Sequence, residues 1–260
     1  MTLKSKGILI LYSESTQLDY KRLADLCARL AEHYLRVPST IVKIAPEKKG
    51  IRTFKYENLE LVSTEWNNGG RFNAYELSPY DETLLIDADY FVQNDNLANY
   101  FGSDHNFLCH NRSWDVTGLQ QLSMDESMSR NGFKMRWATV CYFKKSDYAK
   151  NIFNMWESVA NNYEYYSKLI GYQRDPFRND FCLSIAHQVC SGYHNMDTFH
   201  YALPSMSTVN KLIDYGNKNW LILYNHKNKH NVIRYSGDLH VMNKRCVLET
   251  DIYDKLWNSI

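Results

Sequence analysis

The chain has 260 residues, of which 44% are hydrophobic and 23% charged, a balance that supports a sizeable core and excludes extensive disorder. Its formal net charge of +1 supplies no global basic field, so any contact with nucleic acid would depend on a local patch. The six cysteines, at 27, 109, 141, 182, 190 and 246, form no CxxC pair, which argues against a zinc ribbon or thioredoxin-like site and suits reduced thiols in a cytoplasmic protein.

Gly7-Ile-Leu-Ile-Leu-Tyr12 predicts a buried strand. The run is too short for a signal-peptide core, and nothing approaches the roughly 18 apolar residues of a membrane span, so the expectation is a protein free in the cytoplasm. After the polar turn Ser13-Glu14-Ser15-Thr16, the residues Leu23, Leu26, Cys27, Leu30, Ala31 and Tyr34 carry helical spacing over 17–35, ended by Val37-Pro38. Thr40–Ile44 is a second strand, and this β-α-β opening implies a parallel sheet with a right-handed crossover. Residues 45–70 are polar, include Asn67-Asn68-Gly69-Gly70, and read as a flexible loop. A helix covers part of 71–78, Pro79 and Asp81 mark a turn, and Thr83-Leu84-Leu85-Ile86 is a third strand running into Asp87-Ala88-Asp89.

Further on, Asn94–Phe101 predicts a short helix, Phe107–Cys109 a strand, 111–134 an irregular polar segment and Ala138–Phe143 a strand. Ser146 is placed as the N-cap of a helix with Ile152, Phe153, Trp156 and Val159 on one face. Another helix spans 179–190, and 193–260 alternates short strands and loops. With no repeat or linker, the chain reads as one α/β domain with a mostly parallel central sheet flanked by helices and a C-terminal subregion.

The strongest chemical signal is Leu85-Ile86-Asp87-Ala88-Asp89. In an extended segment, positions i and i+2 point the same way, so both carboxylates could converge beyond the C-terminal edge of the sheet, where open α/β folds bind ligands. Paired oxygen ligands suit Mg²⁺ or Mn²⁺, which in turn suits a diphosphate. The alternative is an acidic turn whose aspartates cap backbone N–H groups. The 20 tyrosines serve either packing or stacking on sugars and bases.

The stretch Phe72-Asn-Ala-Tyr-Glu-Leu-Ser-Pro-Tyr-Asp-Glu-Thr-Leu-Leu-Ile-Asp-Ala-Asp89 resembles the core of the GT-A glycosyltransferases, closest to the glycogenin-like, family 8 group. The resemblance implies a Rossmann-like nucleotide-binding half, a nucleotide-diphosphate sugar donor (UDP-linked in that family) and Mn²⁺ or Mg²⁺. It implies donor contacts from Arg71 and from Asp87-Ala88-Asp89. Tyr12, Ser13 and Glu14, at the end of the first strand, would meet the base and ribose; strand packing is the other reading of Tyr12. Thr139–Ser146 is similar to the strand that lines the family's sugar pocket. Asp238-Leu-His240-Val-Met-Asn-Lys244 resembles its late His-x-x-x-Lys element, which implies His240 as a third metal ligand and Lys244 as the diphosphate contact. Arg178-Asn179-Asp180 resembles its acidic helix start, so Asp180 either binds sugar hydroxyls or stabilises an oxocarbenium-like state, while the plainer reading makes Asn179 or Asp180 an N-cap.

The sequence departs from that family over 109–137 and in having Met242, Asn243 and Arg245 around the late motif. The whole of 1–260 is then one domain, with a nucleotide-binding half at 1–105 and an acceptor-side half at 106–260. A nucleotidyltransferase shares the fold and the metal, but the turn after strand one lacks glycine; a catalytically silent nucleotide-sugar-binding protein is the third reading. Small, unanchored build also resembles bacteriophage glycosyltransferases, which leaves a hydroxymethylated DNA base open as acceptor beside glycan and protein. His110, Arg112 and Trp114 are candidates for an acceptor-binding loop, and Asn225–Asn231 is a polar, basic loop that either is merely solvated or guides an anionic acceptor.

Overall fold

Strand β1 (Lys6–Tyr12) is buried along most of its length in the computed structural model, which describes residues 5–44, 52–56, 59–63, 70–118, 128, 132–172, 177–194 and 197–260. A Cβ at Gly7 would lie 2.3 Å from Cζ of Tyr80, so glycine there admits the ring whose hydroxyl pairs with Thr40 at 2.8 Å. Helix α1 (Tyr20–Leu35) starts later than its apolar spacing suggests because the Asp19 carboxylate caps it, accepting the Arg22 N–H at 2.9 Å. It ends before Pro38, at Arg36, in the left-handed region with φ 58°. Strand β2 (Ser39–Lys43) follows.

A hairpin of β3 (Arg52–Tyr56) and β4 (Leu59–Ser63) stands where a loop was expected over 45–70, because a polar stretch can pair with itself without leaving an apolar pattern. The rest of that expectation, over 45–51, 57–58 and 64–69, lies outside the described residues. A 3-10 turn, Arg71–Asn73, leads into the single-turn helix α2 (Ala74–Leu77), then β5 (Glu82–Asp87) and β6 (Tyr90–Phe91). The short helix expected over 94–101 is a 3-10 turn, Asn96–Tyr100. Strands β7 (Phe107–His110), β8 (Ser113–Asp115) and β9 (Trp137–Lys144) come next, β8 falling inside the segment read as irregular. Helix α3 (Asp147–Asn161) is capped by Ser146 as expected, and α4 (Tyr163–Ile170) and α5 (Asn179–Cys190) complete that layer.

The last part of the chain holds β10 (Leu203–Met206), β11 (Lys211–Gly216), β12 (Asn219–His226), β13 (Lys229–Ser236) and β14 (Leu239–Val241). Two short helices, α6 (Arg245–Leu248) and α7 (Ile252–Trp257), follow where only strands and loops were expected. The polar stretch 225–231 is not a loop but the tip of the β12–β13 hairpin, turning at Lys227 and Asn228, both at positive φ.

The central sheet has the order β2-β1-β5-β9-β7. β1 is parallel to β2 and β5, β9 is antiparallel to β5 and β7, so four of the five strands share one direction. Alternate residues feed two cores. Ile8, Ile10, Leu84, Ile86, Val140 and Tyr142 pack with α1 and the smaller sheets. Leu9, Leu11, Leu85, Cys141 and Phe143 pack with α3 and α5, around the fully buried Trp156. β6-β14-β10-β8 form a second sheet and β11-β12-β13 a third. The chain leaves β1 toward β2 on one side and meets β5 on the other, so the C-terminal ends of β1 and β5 flank a topological switch point, where such sheets open a ligand crevice. All six cysteines are free, and among the described residues no helix is long and apolar enough to cross a membrane.

Candidate functional site

Strand pairing sets Asp87 opposite Leu11, at the switch point. The chain turns at Ala88 and Asp89 before β6 begins, so the two carboxylates approach each other across a turn and not by strand alternation, as the sequence had suggested. The turn is held from beneath by the buried Cys27 thiol of α1, which donates to the Tyr90 carbonyl at 3.1 Å and faces that of Asp87 at 3.5 Å. Antiparallel pairing of β6 with β14 sets Tyr90 against His240, and the Val241 N–H donates to the Asp89 carbonyl at 2.9 Å. His240 Nε2 thereby comes to 3.5 Å from Asp89 Oδ1, and Lys244 Nζ to 2.6 Å from Oδ2.

The crossing is latched by Asp238. Its carboxylate accepts the Gln93 N–H at 2.7 Å, the Asn94 amide at 2.9 Å and the Tyr90 hydroxyl at 3.2 Å, while burial pushes its pKa up to about 6.

Arg71 is buried, and its nitrogens are all engaged. Nε donates to the Ala138 carbonyl at 2.9 Å, one terminal nitrogen to Thr139 at 3.1 Å, and the other pairs with Asp87 at 2.6 Å. Burial raises the Asp87 carboxyl above its ordinary range; Arg71 opposes this and the neighbouring Asp89 adds to it. Burial acts the same way on Asp89, but Lys244 and His240 outweigh it and hold that carboxyl well below the usual range. Burial disfavours the Lys244 ammonium, and Asp89 more than restores it, so its pKa is raised.

One ligand atom each from Asp87, Asp89 and His240 lie within 4.8 Å of one another. Two carboxylates and an imidazole, the former balanced by Arg71 and Lys244, form a donor set that fits Mn²⁺ or Mg²⁺.

These groups line a cleft of about 480 Å³. Tyr12, Ser13 and Glu14 lie along its β1 side and Ala88 in its wall; Glu14 is exposed and pairs with Lys43 at 2.5 Å. Trp137, Arg178, Asn179 and Asp180 line it as well. Asp180 does not cap α5, and neither does Asn179: Arg178 occupies the cap position, and Asp180, in the first turn, accepts the Ala138 N–H at 2.9 Å and pairs with Arg178 at 3.0 Å. Arg71 and Asp180 thus grip adjacent parts of β9.

In the candidate acceptor loop only His110 is overturned, because its ring is closed off from solvent. His110 is fully buried, its ring 4.6 Å from that of Phe199; Arg112 donates to the His200 carbonyl at 3.4 Å; Trp114 packs edge-on against Tyr235. None of the three lines the cleft. Conversely, no sequence signal singles out Trp137, or Ser205, whose Oγ lies 3.4 Å from His240 Nδ1: a tryptophan opening a strand and a serine in a short apolar run are both commonplace.

No protein-family model and no curated protein matches the chain. Among solved structures it is similar to the glycosyltransferase GlyE of Streptococcus pneumoniae TIGR4, at 9% identity over 76% of this chain and 46% of that one, with a TM-score of 0.40. It is also similar to the galactosyltransferase LgtC in complex with donor and acceptor sugar analogues, at 13% identity over 69% of this chain and 70% of that one, with a TM-score of 0.43. An active-site mutant of LgtC gives 12% identity, 74% and 71% coverage and a TM-score of 0.42. The chain spans less than half the length of GlyE. These likenesses bear on the fold alone, and function is argued from the site.

Proposed function

We propose that the chain is a metal-dependent GT-A-type glycosyltransferase that moves a sugar from a nucleotide-diphosphate donor, read as a UDP-sugar, to a hydroxyl acceptor. The observation that carries this is the convergence of Asp87, Asp89, His240 and Lys244 where the parallel strands end, beside a cleft of about 480 Å³, within the size range of small-molecule sites. Asp87, Asp89 and His240 would hold Mn²⁺ or Mg²⁺, which when bound supplies Lewis-acid neutralisation of a leaving diphosphate.

The chain's own residues divide the remaining work. Tyr12, Ser13, Glu14 and Ala88 line the part of the cleft that would receive base and ribose, with the Tyr12 ring offering a stacking face. Arg71 aims Asp87 and opposes the rise that burial imposes on its carboxyl. Lys244 is the cation that would meet the diphosphate as negative charge develops there. Asp180, with Trp137 and Arg178 beside it, is suited to sugar hydroxyls or to stabilising positive charge at the anomeric carbon. In this reading 1–260 is one domain, with 1–105 nucleotide-binding and 106–260 acceptor-side, and the six free cysteines support a reducing, cytoplasmic setting.

Product analysis tests the proposal. With Mn²⁺, a panel of UDP-sugars and hydroxymethylated DNA, oligosaccharide and protein acceptors, free UDP and a glycosylated acceptor are expected. EDTA and Asp89→Ala should each suppress them by about 100-fold or more, the scale of losing a main electrostatic stabiliser. Pyrophosphate as product would instead indicate nucleotidyl transfer, and binding without turnover a silent nucleotide-sugar-binding protein.

A further inference from the structure

Behind His240 lies a chain of two buried serines. β10 runs between β14 and β8, with Ser205 opposite His240 on one side and Asp115 on the other. Ser205 and Ser113 are 1% and 0% exposed. Ser205 Oγ lies 3.4 Å from His240 Nδ1 and 3.1 Å from Ser113 Oγ, and Ser113 Oγ lies 3.1 Å from the Leu203 carbonyl.

Counting protons gives this chain a direction. A carbonyl only accepts, so the single Ser113 proton goes to Leu203. The Ser113–Ser205 bond must then use the Ser205 proton. Having donated it, Ser205 can only accept from the imidazole, so the proton between them sits on His240 Nδ1. The other nitrogen, Nε2, is the one that faces the candidate metal ligands, 3.5 Å from Asp89 Oδ1. We infer that Ser113 and Ser205 are positioning residues that keep a proton on His240 Nδ1, which leaves Nε2 as the nitrogen able to give its lone pair to a metal. Histidine ligands commonly take their tautomer from the partner of the other nitrogen, and loss of such partners typically weakens metal affinity 10–100-fold.

The functional consequence rests on the metal reading above, but the tautomer does not, so the two are tested apart. Long-range ¹H–¹⁵N correlation of the imidazoles in metal-free protein should show His240 protonated at Nδ1. Ser205→Ala, which removes the acceptor, and Ser113→Ala, which frees the Ser205 proton to turn toward His240, should both populate the Nε2–H form; Ser205→Thr, which keeps the hydroxyl, should not. Mn²⁺ affinity, read by electron paramagnetic resonance, should fall by about 10-fold or more in both alanine variants and recover in the threonine variant. A wild-type His240 without a proton on Nδ1 overturns the inference without any variant, and so does an Nδ1 proton unmoved by either alanine. A correct tautomer with no Mn²⁺ bound by the wild type would uphold the serine chain and count against the metal site.

Discussion

Arg71 shows how a charged side chain can serve a site from behind it. It bonds two successive carbonyls of β9 and the Asp87 carboxylate, joining the wall of the cleft to its acidic end. Arg71→Met should therefore cost about 3 kcal/mol in urea denaturation, since it leaves a carboxylate without its counter-charge and two carbonyls without donors. A loss under about 1 kcal/mol would mean that the guanidinium belongs to a ligand and not to the fold. The sequence marked Arg71 as a donor contact on resemblance alone, and the Asp87–Asp89 pair on its place after an apolar strand. It could not show the bonds to Ala138 and Thr139, which join positions 67 and 68 residues apart.

Two elements flanking β9 carry histidines whose burial makes the protein sensitive to acid. His110 ends β7 among Phe199 and Tyr201, and neither ring nitrogen has a hydrogen-bond partner among the described residues. His187 lies on α5, where Arg136 donates to its Nδ1 at 3.4 Å. Burial first, then His240 beside His110 and Arg136 beside His187, lowers both to about 3. A free histidine titrates near about 6.5, so the fold binds fewer protons than the unfolded chain between those values. The neutral rings' contribution is complete above about pH 6.5 and is lost as pH falls toward 3, at up to about 1.4 kcal/mol per pH unit for each histidine. His110→Leu should flatten the decline of unfolding free energy between pH 6.5 and 5, measured by urea titration. An unchanged slope would mean that His110 reaches solvent.

Element by element, legibility followed burial. β1, α1, β5, β9, α3 and α5 bury one face or both and announced themselves by apolar period and caps. β13 has no fully buried residue, and its hairpin turns on Lys227-Asn228 without a glycine, so nothing in the sequence separated it from a solvated loop. α6 and α7 are too short to display a helical period.

For the whole molecule, the parallel half of the sheet was readable because the β-α-β opening permits few topologies. The antiparallel placement of β9 between β5 and β7, and the second sheet that delivers His240, depend on contacts between distant segments. Function depends on the same assembly: β5 brings Asp87, the turn brings Asp89, and β14 and the segment after it bring His240 and Lys244. The most direct test of the central claim is a Mn²⁺ titration of the intact chain by electron paramagnetic resonance, with and without UDP. One ion per chain is predicted, bound more tightly with UDP, and Asp89→Asn should weaken it by at least about 10-fold. No bound ion, or binding indifferent to Asp89→Asn and to UDP, would contradict the account.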